Sequence, residues 1–325
     1  MKHSTQDLSK RSMLSKISDS INTSHLNFWE HTAPTAKDIT ITISDHCIDE
    51  LDAALRRAGN IEMADTNDVS QFKHCTEFVA ELHQMLGHSG PGVAIVDRLP
   101  SERYDEVDNR RLCGAFSSLV GQLMAQSFEG VTLYDVKNKN PKNPDKVRKS
   151  ITNHAQPFHT DGGWHRKPAK YVGLYCVRNA QLGGGSLVTS IMGAFNAMTA
   201  FPDELELLLS FHPWDRQNEH ALGSNPVENN PMFELYNSQF MARYYESYVL
   251  NGYKKANKAP PAMLDAALAR LRETIAQQPS VRFEMSSGQF QYLNNWTMLH
   301  ARQAFDDNEA TPEDESRHVI RVWNH

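Results

Sequence analysis

The sequence predicts a mainly β fold with flanking helices, organised as a sandwich or jelly roll. Two patterns carry this expectation. Helical stripes dominate the first part of the chain, whereas the C-terminal half breaks into short apolar runs separated by Gly, Pro, Asn and Asp. Size agrees with it, because 325 residues with 40% apolar and 22% charged side chains can bury one substantial core.

Residues 1 to about 38 are rich in Ser, Thr, Lys and Asp and read as a polar N-terminal arm, with Leu26-Asn-Phe-Trp29 able to dock on the main body. Residues 39–325 read as a single domain, since no internal repeat and no long Gly/Ser or Pro linker divides them. Phe72, Cys75, Val79, Leu82 and Leu86 recur at three- and four-residue steps and predict a helix that stops at Gly87. A second helix is expected over Tyr104–Gln126, on the stripe Val107, Leu112, Phe116, Leu119, Val120 and Leu123. The third starts at Pro261, suited to a first turn, and runs through Leu264, Leu268, Leu271 and Ile275 to the break at Pro279. Strands are expected at Tyr171–Val177, Ser186–Ser190, Val281–Met285, Phe290–Leu293, Thr297–Ala301 and His318–Trp323.

Lys plus Arg total 33 and Asp plus Glu 39, a formal net charge of −6, so the chain lacks the basic footprint of a nucleic-acid binder. No apolar stretch approaches the roughly 18 residues that cross a membrane, and the N-terminus has no signal-peptide pattern. Cys47, Cys75, Cys113 and Cys176 are scattered without a CxxC pair and read as reduced thiols of a cytoplasmic protein. Oligomeric state is left open by the sequence.

Three segments carry chemistry. In Gln156-Pro-Phe-His159-Thr-Asp161, an extended backbone would put an imidazole and a carboxylate on one strand face, about 6.6 Å apart at the backbone. Asn294-Asn295-Trp296-Thr-Met-Leu-His300-Ala-Arg302 adds one histidine in an apolar strand. Two histidines and a carboxylate make the facial triad of non-haem iron oxygenases, which leaves positions open for substrate and O₂. Arg317-His-Val-Ile-Arg321-Val-Trp323 alternates so that Arg317, Val319, Arg321 and Trp323 share a face, the two guanidiniums about 13 Å apart at the backbone. A guanidinium grips a carboxylate through two parallel hydrogen bonds. A core histidine or a salt-bridged surface strand would produce the last two patterns equally well if either stood alone.

In this order the segments resemble the taurine dioxygenase and clavaminate synthase superfamily. The similarity extends over Val147-Arg-Lys-Ser-Ile-Thr-Asn-His-Ala-Gln-Pro-Phe-His-Thr-Asp161, Tyr171-Val-Gly-Leu-Tyr-Cys-Val-Arg-Asn-Ala, Gly183-Gly-Gly-Ser186-Leu-Val-Thr-Ser, Asn294–Phe305 and Arg317–Trp323, roughly residues 90–325. The arm and first helix have no counterpart in it. The resemblance implies a double-stranded β-helix (jelly roll) core and the activity of an Fe(II)- and 2-oxoglutarate-dependent oxygenase. That activity hydroxylates an unactivated C–H bond of a small acidic molecule, such as an amino acid or derivative, with succinate and CO₂ as coproducts. It implies His159, Asp161 and His300 as iron ligands, Arg317 on the distal carboxylate of 2-oxoglutarate, Ser186 supporting that cosubstrate, and Arg321 on the acidic group of the substrate. O₂ is the second cosubstrate.

Two features depart from the pattern. Asp306–Ser316 is an acidic insert longer than the family's short turn and reads as a solvated loop, and His165 reads as an exposed loop histidine; His165 and His154 stay outside the metal shell. The intact Asp161 speaks against chlorination. Carrier- or peptide-bound substrate is the nearest rival within the same chemistry. A zinc hydrolase would leave Arg317 and Arg321 without a task, and a metal-free jelly-roll binding protein would leave the triad idle.

Overall fold

Phe290–Asn294 and Met298–Arg302 are buried at every position, not alternately. A strand with no exposed face has other layers of the protein on both sides, and these two mark the middle of the fold. The computed structural model of the chain describes residues 17, 27–29, 31–58, 69–143, 147–217, 219–307, 310–312 and 315–325. The strands, in chain order, are β1 (Thr40–Thr42), β2 (Val93–Asp97), β3 (Leu133–Val136), β4 (Gln156–His159), β5 (Tyr171–Arg178), β6 (Ser186–Ser190), β7 (His212–Asp215), β8 (Val227–Asn230), β9 (Phe233–Tyr236), β10 (Gln239–Ala242), β11 (Ser280–Phe283), β12 (Phe290–Asn294), β13 (Met298–Arg302) and β14 (His318–Asn324). A six-stranded sheet runs β1-β2-β12-β5-β14-β3, and a four-stranded sheet runs β11-β6-β13-β4. Only β1 and β2 pair in parallel; every other pairing is antiparallel.

The larger sheet separates two apolar cores. On its outer face Phe290, Tyr292 and Tyr175 pack against helices α1 (Asp45–Ala58), α2 (Lys73–Leu86) and α3 (Glu106–Val120). On its inner face Leu293, Val172 and Val319 meet Val188 and Leu299 of the smaller sheet. The same inner core continues into α4 (Ile191–Met198), α5 (Pro202–Leu208), α6 (Glu246–Lys255) and α7 (Leu264–Ala276). All six expected strands are present, within two residues at either end. The helix expected over Tyr104–Gln126 is shorter than its apolar stripe. The C-terminal segment stops it: Asn324 Nδ2 donates to the carbonyls of Ser117 and Gly121, and a Cβ on Gly121 would lie 2.5 Å from the His325 carbonyl. At the start of α2, whose N-cap Phe72 offers no side-chain acceptor, the Glu50 carboxylate of α1 takes the amides of His74 and Cys75.

Cys47 and Cys75 form a disulfide between α1 and α2, so the reading of four reduced thiols is corrected. The α1 helix has no cysteine partner nearby in sequence, and only its packing against α2 brings the two sulfurs together. Cys113 and Cys176 are buried free thiols. Among the described residues no helix is long and apolar enough to cross a membrane.

Most of the arm lies outside the described residues, but its docking segment is visible. Asn27 is fully buried, donating to the Gly87 and Gly90 carbonyls at 2.6 and 3.1 Å and accepting from the Thr297 hydroxyl. Trp29 donates to the Pro91 carbonyl. The contact is specific because three buried polar groups depend on one amide. Asn27→Leu should therefore destabilise the protein by about 2 kcal/mol, read as a lower denaturation midpoint in urea; an unchanged midpoint would mean that the segment contributes nothing to the folded body.

Candidate active site

The four-stranded sheet brings the two histidines together. β13 lies antiparallel to β4, and His300 is the direct partner of His159 across that pair, with ring centroids 4.1 Å apart. Strand β4 ends at His159, so Asp161 does not sit on the extended face that the His-x-Asp spacing suggests. It sits in the following turn, where Gly162 has a φ of +65° that favours glycine. Asn295 fixes that turn from both sides: its Oδ1 accepts the Asp161 amide, and its Nδ2 donates to the carbonyls of Asp161 and Ala169. The turn still delivers the carboxylate. One donor atom from each of His159, Asp161 and His300 lies within 4.8 Å of the others, and all three residues are buried. Asp161 Oδ1 is 3.5 Å from His159 Nε2 and 4.0 Å from His300 Nε2.

Hydrogen bonds set the ligand-ready form of each group. The proton of His159 lies on Nδ1, donated to the Pro157 carbonyl at 2.9 Å, which leaves the Nε2 lone pair facing the cluster; there it accepts from the Gln156 amide. Burial, and then the neighbouring His159, push His300 down to about 3, so it is neutral at physiological pH. Burial would raise the Asp161 carboxyl, but the charge of the Arg321 guanidinium opposes it, and the group is held well below the usual carboxylate range. Trp323 Nε1 donates to Asp161 Oδ2 at 2.9 Å, and Arg321 Nη1 approaches both carboxylate oxygens at 3.3 Å.

Beside this cluster, Arg317 is 3% exposed, and its Nε and Nη1 have no hydrogen-bond partner. It shares a narrow cavity with His159, His300 and Ser186. Gly184 leaves the space for it, since a Cβ there would meet Arg317 Nε at 3.2 Å. Arg321 lines the same cavity but is not free within it, because Nε donates to Gln126 Oε1 and the guanidinium stacks on Tyr134 and Trp323. A second cavity opens from Asp161 and Arg321 towards Trp164, Tyr245 and Tyr248, with Arg148 and Lys149 in its lining. Tyr245 and Tyr248 stack at 4.0 Å, and Tyr245 also faces the His159 ring.

Thus the structure gathers His159, Asp161, His300, Arg317, Ser186 and Arg321 around adjoining cavities. It leaves His154 outside both. His165 is not an exposed loop residue: it packs edge-on against Trp323 and beside Trp164, and burial followed by the charge of Arg216 lowers it to about 4. The acidic insert is likewise not wholly solvated, because Asp307 is buried and accepts the backbone amide of Arg317. Sequence reasoning passed over Arg302, Trp323 and Asn295. The signal for Arg302 was present, since strand period two puts it on the face of His300. Trp323 stood on the Arg317/Arg321 face without being given a role.

A jelly roll enclosing a buried His-Asp-His cluster, beside an arginine with two nitrogens left without hydrogen-bond partners, defines a non-haem metal oxygenase. Residues 50–323 match the taurine catabolism dioxygenase TauD, TfdA family, and the chain belongs to that family. It is a non-haem iron dioxygenase that uses 2-oxoglutarate. The match begins at residue 50, so it includes α2 and most of α1, further than the resemblance beginning near residue 90. Among curated relatives, the FR-33289 synthase of Streptomyces rubellomurinus is 26% identical over 253 residues, covering 76% of this chain and 72% of that protein. The taurine hydroxylase-like protein SAT17 of Stachybotrys chartarum is 27% identical over 248 residues, covering 72% of this chain and 61% of that one. Asparagine oxygenase in complex with Fe(II), 2S,3S-3-hydroxyasparagine and succinate superposes with a TM-score of 0.63 at 15% identity, over 88% of this chain and 93% of that one. The non-haem iron oxygenase OrfP in complex with Fe and α-ketoglutaric acid gives 0.60 at 12% identity, with the same coverage. At these identities the structural likeness is one of fold.

Trp323→Phe removes the donor to Asp161 Oδ2 together with the part of the indole packed against Gly162, and should weaken Fe(II) binding by roughly tenfold, as expected when the partner of a ligand is lost. Anaerobic calorimetry of Fe(II) binding checks this. Wild-type affinity in the variant would show that the indole does not set the carboxylate.

Proposed function

We propose that His159, Asp161 and His300 hold Fe(II), that Arg317 and Ser186 hold 2-oxoglutarate, and that the enzyme hydroxylates a small acidic molecule, an amino acid or a derivative of one. The observation that carries this reading is the pairing in one cavity of two histidines with a buried guanidinium whose Nε and Nη1 have no hydrogen-bond partner. The residues suit the groups assigned to them. Two imidazoles and one carboxylate form the donor set of non-haem iron, and unpaired guanidinium N–H groups in a buried cavity call for an anion.

When bound, iron with 2-oxoglutarate and O₂ supplies an oxidant able to take hydrogen from an unactivated C–H bond, with succinate and CO₂ as coproducts. The chain's own residues do the positioning. Asn295 anchors the Asp161 backbone, while Trp323 and Arg321 orient its carboxylate. The stacked tyrosines and Trp164 wall the neighbouring cavity with aromatic surface.

An acidic substrate is favoured by the charge of that cavity. Arg148, Lys149 and Arg321 line it, and Asp161 is its one carboxylate among the described residues. Arg148 is paired with Glu219 and Arg321 with Asp161, so both act mainly through a field that is already partly balanced. The amino-acid class draws support from the two structural neighbours, one solved with a hydroxylated asparagine and the other with a hydroxylated arginine.

Adding 2-oxoglutarate to the anaerobic Fe(II) protein should produce a visible charge-transfer band, and its absence would sink the cosubstrate reading. Arg317→Lys should raise the 2-oxoglutarate concentration needed for half of that band by about tenfold, because an ammonium cannot reproduce the two parallel bonds of a guanidinium. Succinate release above the uncoupled background, screened over free amino acids and their derivatives, then identifies the substrate; stimulation only by carrier- or peptide-bound forms would overturn the small-molecule assignment.

A further inference from the structure

Arg317 is not alone in its cavity. Arg302 is 7% exposed, lines the same cavity, and also has Nε and Nη1 without a hydrogen-bond partner. The two arginines come from opposite sheets: Arg302 ends β13, and Arg317 immediately precedes β14. Their guanidinium carbons lie 4.8 and 5.3 Å from the centre of one ring, that of Phe305. Ser186 is the register partner of Arg302 across β6 and β13.

Two like charges enclosed together repel, and each unpaired buried donor costs free energy unless something answers it. Asp307, the nearby carboxylate, accepts the backbone amide of Arg317, and its charge offsets one guanidinium at most. A guanidinium keeps its charge at neutral pH, so the repulsion is not relieved by loss of a proton. Arg302 is at the same time firmly placed. Its Nη2 donates to the carbonyls of Lys149, Thr152 and His154 at 3.2, 2.9 and 2.5 Å, tying the segment ahead of β4 to β13. One nitrogen fixes the side chain, and the other two are left for a ligand.

We propose that Arg302 is a second anchor for the distal carboxylate of 2-oxoglutarate, which binds between the guanidiniums of Arg302 and Arg317. The inference rests on the assignment of Arg317 above. It makes the cavity selective for 2-oxo acids with a second carboxylate, because without that anion the two arginines stay mutually uncompensated.

The test compares 2-oxoglutarate with 2-oxobutyrate, which offers the same 2-oxo acid head but no distal carboxylate. Each is titrated calorimetrically into the anaerobic Fe(II) protein. Arg302→Gln should weaken 2-oxoglutarate at least about tenfold, the scale of a lost hydrogen bond to a charged group, and change 2-oxobutyrate less than about twofold. Arg302→Lys, which keeps the charge, should fall between wild type and Arg302→Gln, and it serves as the variant of record if the glutamine form does not fold. A merely structural latch would weaken both acids equally, or neither, and would overturn the proposal. Arg317→Gln separates this failure from that of the underlying reading. If it abolishes the preference for 2-oxoglutarate while the Arg302 variants keep it, Arg302 is not an anchor and Arg317 is. If none of the variants alters the preference, both assignments fall.

Discussion

A carboxylate enclosed in a jelly roll must be compensated, and the arrangement around Asp161 follows from that requirement. Its charge is answered by Arg321, its second oxygen by the Trp323 indole, and its backbone by Asn295. These partners come from β14 and from the turn after β12, the two segments that flank Asp161 in space but not in sequence. Removing one member of such a buried pair leaves the other uncompensated, typically at a cost of about 3–5 kcal/mol. The closing strand of the larger sheet is therefore bound to the site chemically as well as by packing.

Much of this was legible in the sequence because it depends on short-range pattern. His159 and Asp161 are two residues apart, although Asp161 is delivered by a turn and not by the strand, and Arg321 and Trp323 alternate along β14 with Arg317 just ahead of it. The strands themselves were legible for the same reason. Buried β-branched and aromatic runs bounded by glycine and asparagine leave little freedom in where a strand can lie.

What the pattern could not supply depends on contacts distant in sequence. The direct opposition of His159 and His300 is a matter of register between β4 and β13, which are 140 residues apart and carry no local signal for each other. The end of α3 before its apolar stripe runs out is set by Asn324, some 200 residues later. The Cys47–Cys75 bond depends on how α1 packs on α2, and the stripe Cys47, Ile48, Leu51, Ala54 and Leu55 that marks α1 was present in the sequence but passed over. His165 looked like a loop residue because its neighbours Gly162 and Gly163 suggest a turn; the turn is real, but Trp323 covers it.

The two cavities divide the work by the state of their charges. In the inner one, Arg302 and Arg317 retain unpaired donors in a narrow, buried space. There an anion gains most, since burial strengthens the interaction and the donors are already oriented. In the outer one the guanidiniums of Arg148 and Arg321 already face Glu219 and Asp161, and aromatic rings make up much of the remaining wall. A ligand entering there meets a weaker field and more surface, so shape counts for more in its selection than charge. On the proposed assignment of the inner cavity to 2-oxoglutarate, the difference suits an enzyme that binds the same cosubstrate in every turnover and takes its substrate in a separately built pocket. Arg321 and Gln156 each border both cavities, and they touch Asp161 and His159 respectively, so occupancy of the outer pocket reaches the proposed metal ligands through these two side chains as well as through Trp323.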